Sequence, residues 1–334
     1  MDNCEIWKNV HITMRKNYSC ALLFSIPAYT PNLQKLSILG PNFLIANLFD
    51  APLTHLTHLR IDSPTIYSRP RTNFVLENLR SLYLRGAKHP EVVDCLSRSP
   101  RVEGATLTFK FTAEEAHQIP DRVCFKLEYL RRLELNVDFH SWNHGQSGPL
   151  NHIDLPALET LLLVVINCKI PNEADTLWDL SINTVSRYEA TLKNLEMTVR
   201  CCGQPQSDFI GRIHGLKHLG VNLNTLSDDF IRALVSHLPS PKQQPCEVHS
   251  YLESLRILDI FEYQNGAAVS VIIDLAENEK SYDAPHPVTM ILPSHFLMAS
   301  ASDSLVKIMA EDDWVKQRPD LYRPDLYRPM GEDW

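Results

Sequence analysis

The sequence has no long apolar run. Its longest, LLLVVI from Leu161 to Ile166, spans six residues, whereas a membrane-spanning helix needs about 18. Glycine is scarce, at 11 of 334 residues, and no G-x-x-x-x-G-K-[ST], G-x-S-x-G or H-E-x-x-H occurs. A phosphate-cradling loop, a nucleophile elbow and a zincin helix are therefore not expected, and no enzyme class is indicated. The eight cysteines are scattered and form no C-x-x-C pair, so they read as reduced, mostly buried thiols. The opening MDNCEIWKNV lacks the apolar centre of a secretory signal. These absences together point to the cytoplasm or nucleus, with no membrane partner. Basic charge is lacking too. The formal net charge of -8 opposes non-specific binding to nucleic acid.

Histidine is more plentiful, at 14 residues, and one cluster is spaced closely enough to bind zinc were its loop folded inward. Asp138, His140 and His144 lie close together in DFHSWNHG, and Cys246 and His249 are three apart. Neither group is followed by a matching pair, so polar surface loops are the simpler reading. No metal and no cofactor are expected.

What the sequence does have is leucine in a changing rhythm. In LEYLRRLEL the leucines fall at Leu127, Leu130, Leu133 and Leu135, with gaps of three, three and two. A helix would hold to three and four, and a strand to two. The pattern recurs at Leu53-Leu56-Leu59-Ile61, Leu76-Leu79-Leu82-Leu84, Leu155-Leu158-Leu161-Leu163, Ile213-Leu216-Leu219-Val221 and Leu252-Leu255-Leu258-Ile260. Shorter copies lie at Leu33-Leu36-Ile38, Val102-Ala105-Leu107 and Leu192-Leu195-Met197. Markers set on the apolar residue before each two-residue gap fall at 36, 59, 82, 105, 133, 161, 195, 219 and 258, and three successive spacings are 23. Repeats of 20 to 29 residues are the signature of leucine-rich solenoids.

In such a unit the last two apolar residues sit on a short strand and enter the core, while the earlier ones lie on the turn that leads in. One unit cannot bury its apolar edge alone, so units stack and their strands join a parallel sheet. The expected fold is α/β, a curved leucine-rich-repeat solenoid with strands on the concave face and helices and irregular segments on the convex one. Helices are expected in HPEVVDCLSRSP, with Pro90 at its start, in SDDFIRALVSHLP, with Ser227 as N-cap, and in ADTLWDLSINTVSRYEATL. The organisation reads as an N-terminal cap over 1–29, irregular repeats over 30–262, a C-terminal cap over 263–314 and a flexible tail over 315–334. The cap is expected to end in a helix at DSLVKIMAEDDWV. The tail carries RPDLYRPDLYRP, whose prolines favour extended chain.

These repeats, with repeat starts such as YTPNLQKLSI and LPALETLLL and the segment EIWKNVHI around Trp7, resemble the repeat region of fungal F-box/leucine-rich-repeat proteins. The Asn usual later in the repeat is found as Asn224 and is mostly absent elsewhere. Only six residues precede Trp7, too few for the helices of an F-box. The resemblance implies a protein-recognition module, the substrate-binding part of an F-box-type ubiquitin-ligase adaptor. Docking to the ligase core is expected only if an F-box lies upstream. The alternative is a stand-alone scaffold or immune-type recognition module unconnected to ubiquitin.

Strand residues that alternate with the core positions face the concave side. Lys35, Arg60 and Arg85 with Tyr83 form a cationic strip there, suited to an acidic segment of a protein partner. Leu162 stands in the more apolar second half. Aligning the last copy on Leu258 adds Ile257, Asp259 and Phe261 to this face.

Overall fold

The computed structural model describes residues 6–14, 26, 30–40, 53–62, 76–112, 125–140, 148–166, 183–199, 215–222, 253–258, 288–292 and 306–310. Twelve strands form one sheet, in the order β1-β2-β3-β4-β5-β7-β9-β10-β11-β12-β13-β14, so spatial order follows chain order. They are β1 (Asn9–Thr13), β2 (Lys35–Leu39), β3 (His58–Asp62), β4 (Ser81–Lys88), β5 (Gly104–Thr112), β7 (Arg132–His140), β9 (Thr160–Ile166), β10 (Asn194–Val199), β11 (His218–Asn222), β12 (Ser254–Leu258), β13 (Val288–Leu292) and β14 (Val306–Ala310). Every pairing is parallel. β6 (Phe125–Lys126) and β8 (Ile153–Asp154) make a separate two-stranded parallel sheet. Among the described residues the architecture is a parallel-strand solenoid with few helices.

The leucine rhythm resolves into a turn followed by a strand. The amide of Leu56 donates to the carbonyl of Leu53 at 3.1 Å, Leu79 to Leu76 at 3.1 Å and Leu158 to Leu155 at 3.2 Å. In these three copies the first gap of three is thus one closed turn whose two leucines both point inward. The next gap carries the chain into the strand, and the gap of two lies along it. A second device locks unit to unit. The carbonyl of Lys8, just before β1, accepts the amides of Gln34 and Lys35 at 2.7 and 2.9 Å. Gln34 does the same for Thr57 and His58, and the arrangement recurs at each step until Lys217 accepts from Glu253 and Ser254. These forked bonds satisfy the amides where the chain turns into each strand, groups that would be costly to bury unpaired.

The core is the stack of inward columns. Leu36, Leu59, Leu82, Ala105, Leu133, Leu161, Leu195 and Leu219 are adjacent in register and at most 4 % exposed. The column beside it, from Ile38 through Ile61, Leu84, Leu107, Leu135, Leu163 and Met197 to Val221, is equally closed. Each such side chain contributes about 1.5–3 kcal/mol of burial. β4 keeps this column inward by a bulge between Arg85 and Ala87, where Gly86 takes φ 80°. Left-handed backbone suits glycine. The extra residue returns Ala87 to the core beside Phe109 and leaves Lys88 outward beside Lys110.

HPEVVDCLSRSP is helical as expected, as α1 (His89–Ser97). The Glu91 carboxylate accepts the Lys88 amide at 2.7 Å and closes its N-terminus. Within ADTLWDLSINTVSRYEATL, residues 183–186 are helical and turns follow to 191. SDDFIRALVSHLP and the RPDLY tail lie outside the described residues.

β1, within the stretch expected as N-terminal cap, pairs with β2, and β13 and β14 extend the sheet within the stretch expected as C-terminal cap. Two expectations are corrected. The helix expected at DSLVKIMAEDDWV is instead strand over Val306–Ala310. Val306, Ile308 and Ala310 pair in register with Val288, Met290 and Leu292, so pairing with β13 overrides a locally ambiguous apolar pattern. The last repeat is aligned on Leu255, which pairs with Leu219, and not on Leu258. Its leucines at 252, 255 and 258 are evenly spaced by three, so the apolar pattern admits both alignments. The forked bond from Lys217 selects Ser254 as the first strand residue.

Candidate protein-recognition face

Alternation along each strand sends one set of side chains away from the core. Parallel registration then lines them up across the sheet. One column runs Lys35, His58, Ser81, Gly104, Arg132, Thr160, Asn194, His218, Ser254. The next runs Ser37, Arg60, Tyr83, Thr106, Glu134, Leu162, Glu196, Gly220, Arg256. The third includes Asp62, Arg85, Asn136 and Val164.

The expected cationic strip is therefore assembled, on an oblique line. Lys35 is exposed on β2, Arg60 lies one strand over in the next column, and Arg85 lies one strand further in the third. Arg60 is not extended into solvent. Its guanidinium lies 4.5 Å from the centroid of the Tyr83 ring, and the residue is 7 % exposed. Such stacking joins cation–π attraction to apolar contact. Arg85 is 52 % exposed and stands 3.7 Å from the Asp62 carboxylate. Burial pushes the Asp62 carboxyl up from the usual range, against the opposing pull of Arg85 and Arg60. Burial and the Asp62 charge raise the Tyr83 hydroxyl, so it stays protonated at neutral pH. The Ser37 hydroxyl, 4 % exposed beside Arg60, has no hydrogen-bond partner among the described residues.

Further along, Glu134 faces outward yet is only 5 % exposed. It accepts from Asn136 Nδ2 at 3.2 Å and from Thr106 Oγ1 at 3.4 Å. Burial raises its carboxyl despite these bonds and the nearby Arg132. Leu162 is half-buried at the centre of the face. It borders a depression lined also by Asn194, Glu196, His218, Gly220 and Arg256. Arg256 Nη1 reaches Glu196 Oε1 at 2.6 Å. His218 Nδ1 and Ser254 Oγ are 2.7 Å apart, and Asn194 Nδ2 donates to Thr160 Oγ1 at 2.9 Å.

The corrected register moves the far end of this face. Ser254, Arg256 and Leu258 occupy the positions assigned from sequence to Ile257, Asp259 and Phe261. Phe261 itself lies outside the described residues. Arg256 was missed for that reason, and its partner Glu196 is 60 residues away. Among the described residues no three His, Cys, Asp or Glu side chains converge as a metal-binding group, and no helix is long and apolar enough to cross a membrane.

No protein-family model and no curated protein matches the sequence.

Proposed function

We propose that the protein is a recognition module of the leucine-rich-repeat type that binds a partner protein on the outward, concave face of its sheet. The observation that carries this is the contrast between the two faces. The inward columns repeat nearly the same aliphatic residue at every strand, whereas the outward column reads Ser37, Arg60, Tyr83, Thr106, Glu134, Leu162, Glu196. A fold requires the first kind of column, and the second kind suits a partner with its own sequence of charges and shapes. The resemblance of the repeats to F-box/leucine-rich-repeat proteins supports a role as the substrate-binding part of a ubiquitin-ligase adaptor. A scaffold or immune-type module unconnected to ubiquitin is the second reading.

The test is affinity capture with the wild-type chain, a Leu162→Asp variant on the outward face and an Arg101→Glu variant away from it. A partner retained by wild type and Arg101→Glu but lost by Leu162→Asp supports the recognition face. Equal retention by all three removes it. Co-purification of ubiquitin-ligase core components or ubiquitylated partner favours the first role, and their absence favours the second.

A further inference from the structure

We infer that the outward face of β2–β5 docks a short acidic peptide segment laid across the strands. This rests on the recognition reading above and adds the chemistry of the partner. The outward charged residues of these four strands are Lys35, Arg60, Arg85, Lys88 and Lys110 against Asp62, five positive and one negative, or +4. The whole chain carries -8. A local field opposite in sign to that of the molecule attracts anions to this face in particular.

The arrangement also has a floor and a rim. Arg60, its guanidinium 4.5 Å from the centroid of the Tyr83 ring, and the Ser37 hydroxyl, which has no hydrogen-bond partner among the described residues, lie low in one column. Lys35, Arg85, Lys88 and Lys110 are exposed around them. Asp62 is the one opposing charge on these four strands, with Glu134 and Asp138 following on β7, Asp138 in register with Lys110. At 3.7 Å from Arg85, Asp62 stands beyond hydrogen-bond reach, leaving Arg85 donors for a partner. From Lys35 to Lys110 the oblique path crosses three strand spacings of about 4.8 Å and runs six residues along the strand, roughly 24 Å in all, the length of about seven extended residues. Carboxylates on such a segment meet the rim lysines and Arg85 in turn. A nucleic acid fits less well, because Tyr83 already stacks on Arg60, and the only other outward ring of these strands, His58, is tied to Thr57 Oγ1 at 2.8 Å.

The experiment is fluorescence anisotropy with labelled hexaglutamate and, in parallel, a labelled single-stranded RNA hexamer. Lys35→Glu/Lys110→Glu is compared with Lys193→Glu/Lys217→Glu, a matched charge reversal at exposed positions just before β10 and β11. Circular dichroism checks that both fold. Hexaglutamate is expected to bind wild type, to bind Lys35→Glu/Lys110→Glu at least tenfold more weakly, and to change no more than twofold in the control. Absence of binding, or equal loss in both variants, overturns the inference. Tighter binding of the RNA also overturns it and reassigns the face to nucleic acid. The recognition reading survives any of these results if Leu162→Asp still releases a captured partner.

Discussion

Arg256 and Glu196, 60 residues apart in sequence, meet at 2.6 Å across a strand that contributes only Gly220 between them. Their strands stand about 9.6 Å apart, two sheet spacings, so the long arginine side chain closes the gap over the glycine. Arg256 is 7 % and Glu196 21 % exposed at the side chain. Removing one partner leaves a largely buried charge behind. Arg256→Met is expected to cost about 1–3 kcal/mol. Gly220→Val places a branched side chain in the path of the bridge. It is expected to destabilise the wild type more than it destabilises Arg256→Met, although valine favours strands. A double-mutant cycle from urea midpoints measures this, and additive effects would mean that the two residues do not communicate over Gly220.

Neighbours on β7 separate the inward role from the outward one. Leu133 is 1 % exposed in the leucine column, and Leu133→Ala is expected to cost about 2–5 kcal/mol through lost burial and a cavity. Glu134 is nearly as buried but belongs to the other face, where desolvation raises its carboxyl. Its protonated form is thus favoured by folding. This contribution is present below the ordinary carboxyl range and lost as pH rises through the raised value. Glu134→Gln, which keeps the shape without the charge, is expected to stabilise the protein at pH 7 by up to about 1 kcal/mol. The gain should fade on acidification, as chemical melts across pH would show. A loss at pH 7 would place the ionised carboxylate among the stabilising groups instead.

The run LLLVVI tests the alternation itself. Leu161 is fully buried, and Leu162, in the same apolar run, is half-buried on the opposite face. Leu161→Asp is expected to abolish folding, because a lone carboxylate cannot be placed in that column without a partner. Leu162→Asp is expected to keep the native circular dichroism spectrum. Equal damage from both would refute the assignment of faces.

Much of this was legible because the core is repetitive. Leu53, Leu56, Leu59 and Ile61 announce their unit, and the spacing of 23 carries the register from Leu36 to Ala105. The faces of Lys35, Arg60, Tyr83 and Arg85 follow from alternation alone. What alternation does not show is contact. Arg60 packs on Tyr83 rather than reaching outward because neighbouring strands stand close enough for long side chains to stack. The bulge at Gly86 shifts Ala87 inward, which a strict period of two misses. The end of the solenoid was misread where evenly spaced leucines admit two registers and where β14 depends on pairing with β13 rather than on its own pattern.

A buried pair of histidines sets the expected response to acid. His89, at the start of α1, and His152, just before β8, are each 2 % exposed, with ring centroids 5.4 Å apart and nearly perpendicular planes. Phe109 and Phe111 pack on His89, and Phe125 packs on His152. His89 Nε2 stands 3.0 Å from the Pro149 carbonyl, which only accepts, so this nitrogen carries the proton of the neutral ring. Both ring nitrogens of His152 lack a hydrogen-bond partner among the described residues. Burial lowers His89 to about 4 despite the Pro149 bond. Burial, with the Arg187 charge, lowers His152 to about 4. In the unfolded chain both protonate near 6.5. Their neutral forms therefore favour the fold above that value, and the contribution is lost as pH falls from about 6.5 toward 4. Protonation there would gather two imidazolium charges beside Arg187 among phenylalanines. The urea midpoint is expected to fall steeply between about pH 6 and pH 4. His152→Phe, which has no group to protonate, should flatten that slope even if it shifts the midpoint at pH 7. An unchanged slope in His152→Phe would show that the acid response arises elsewhere.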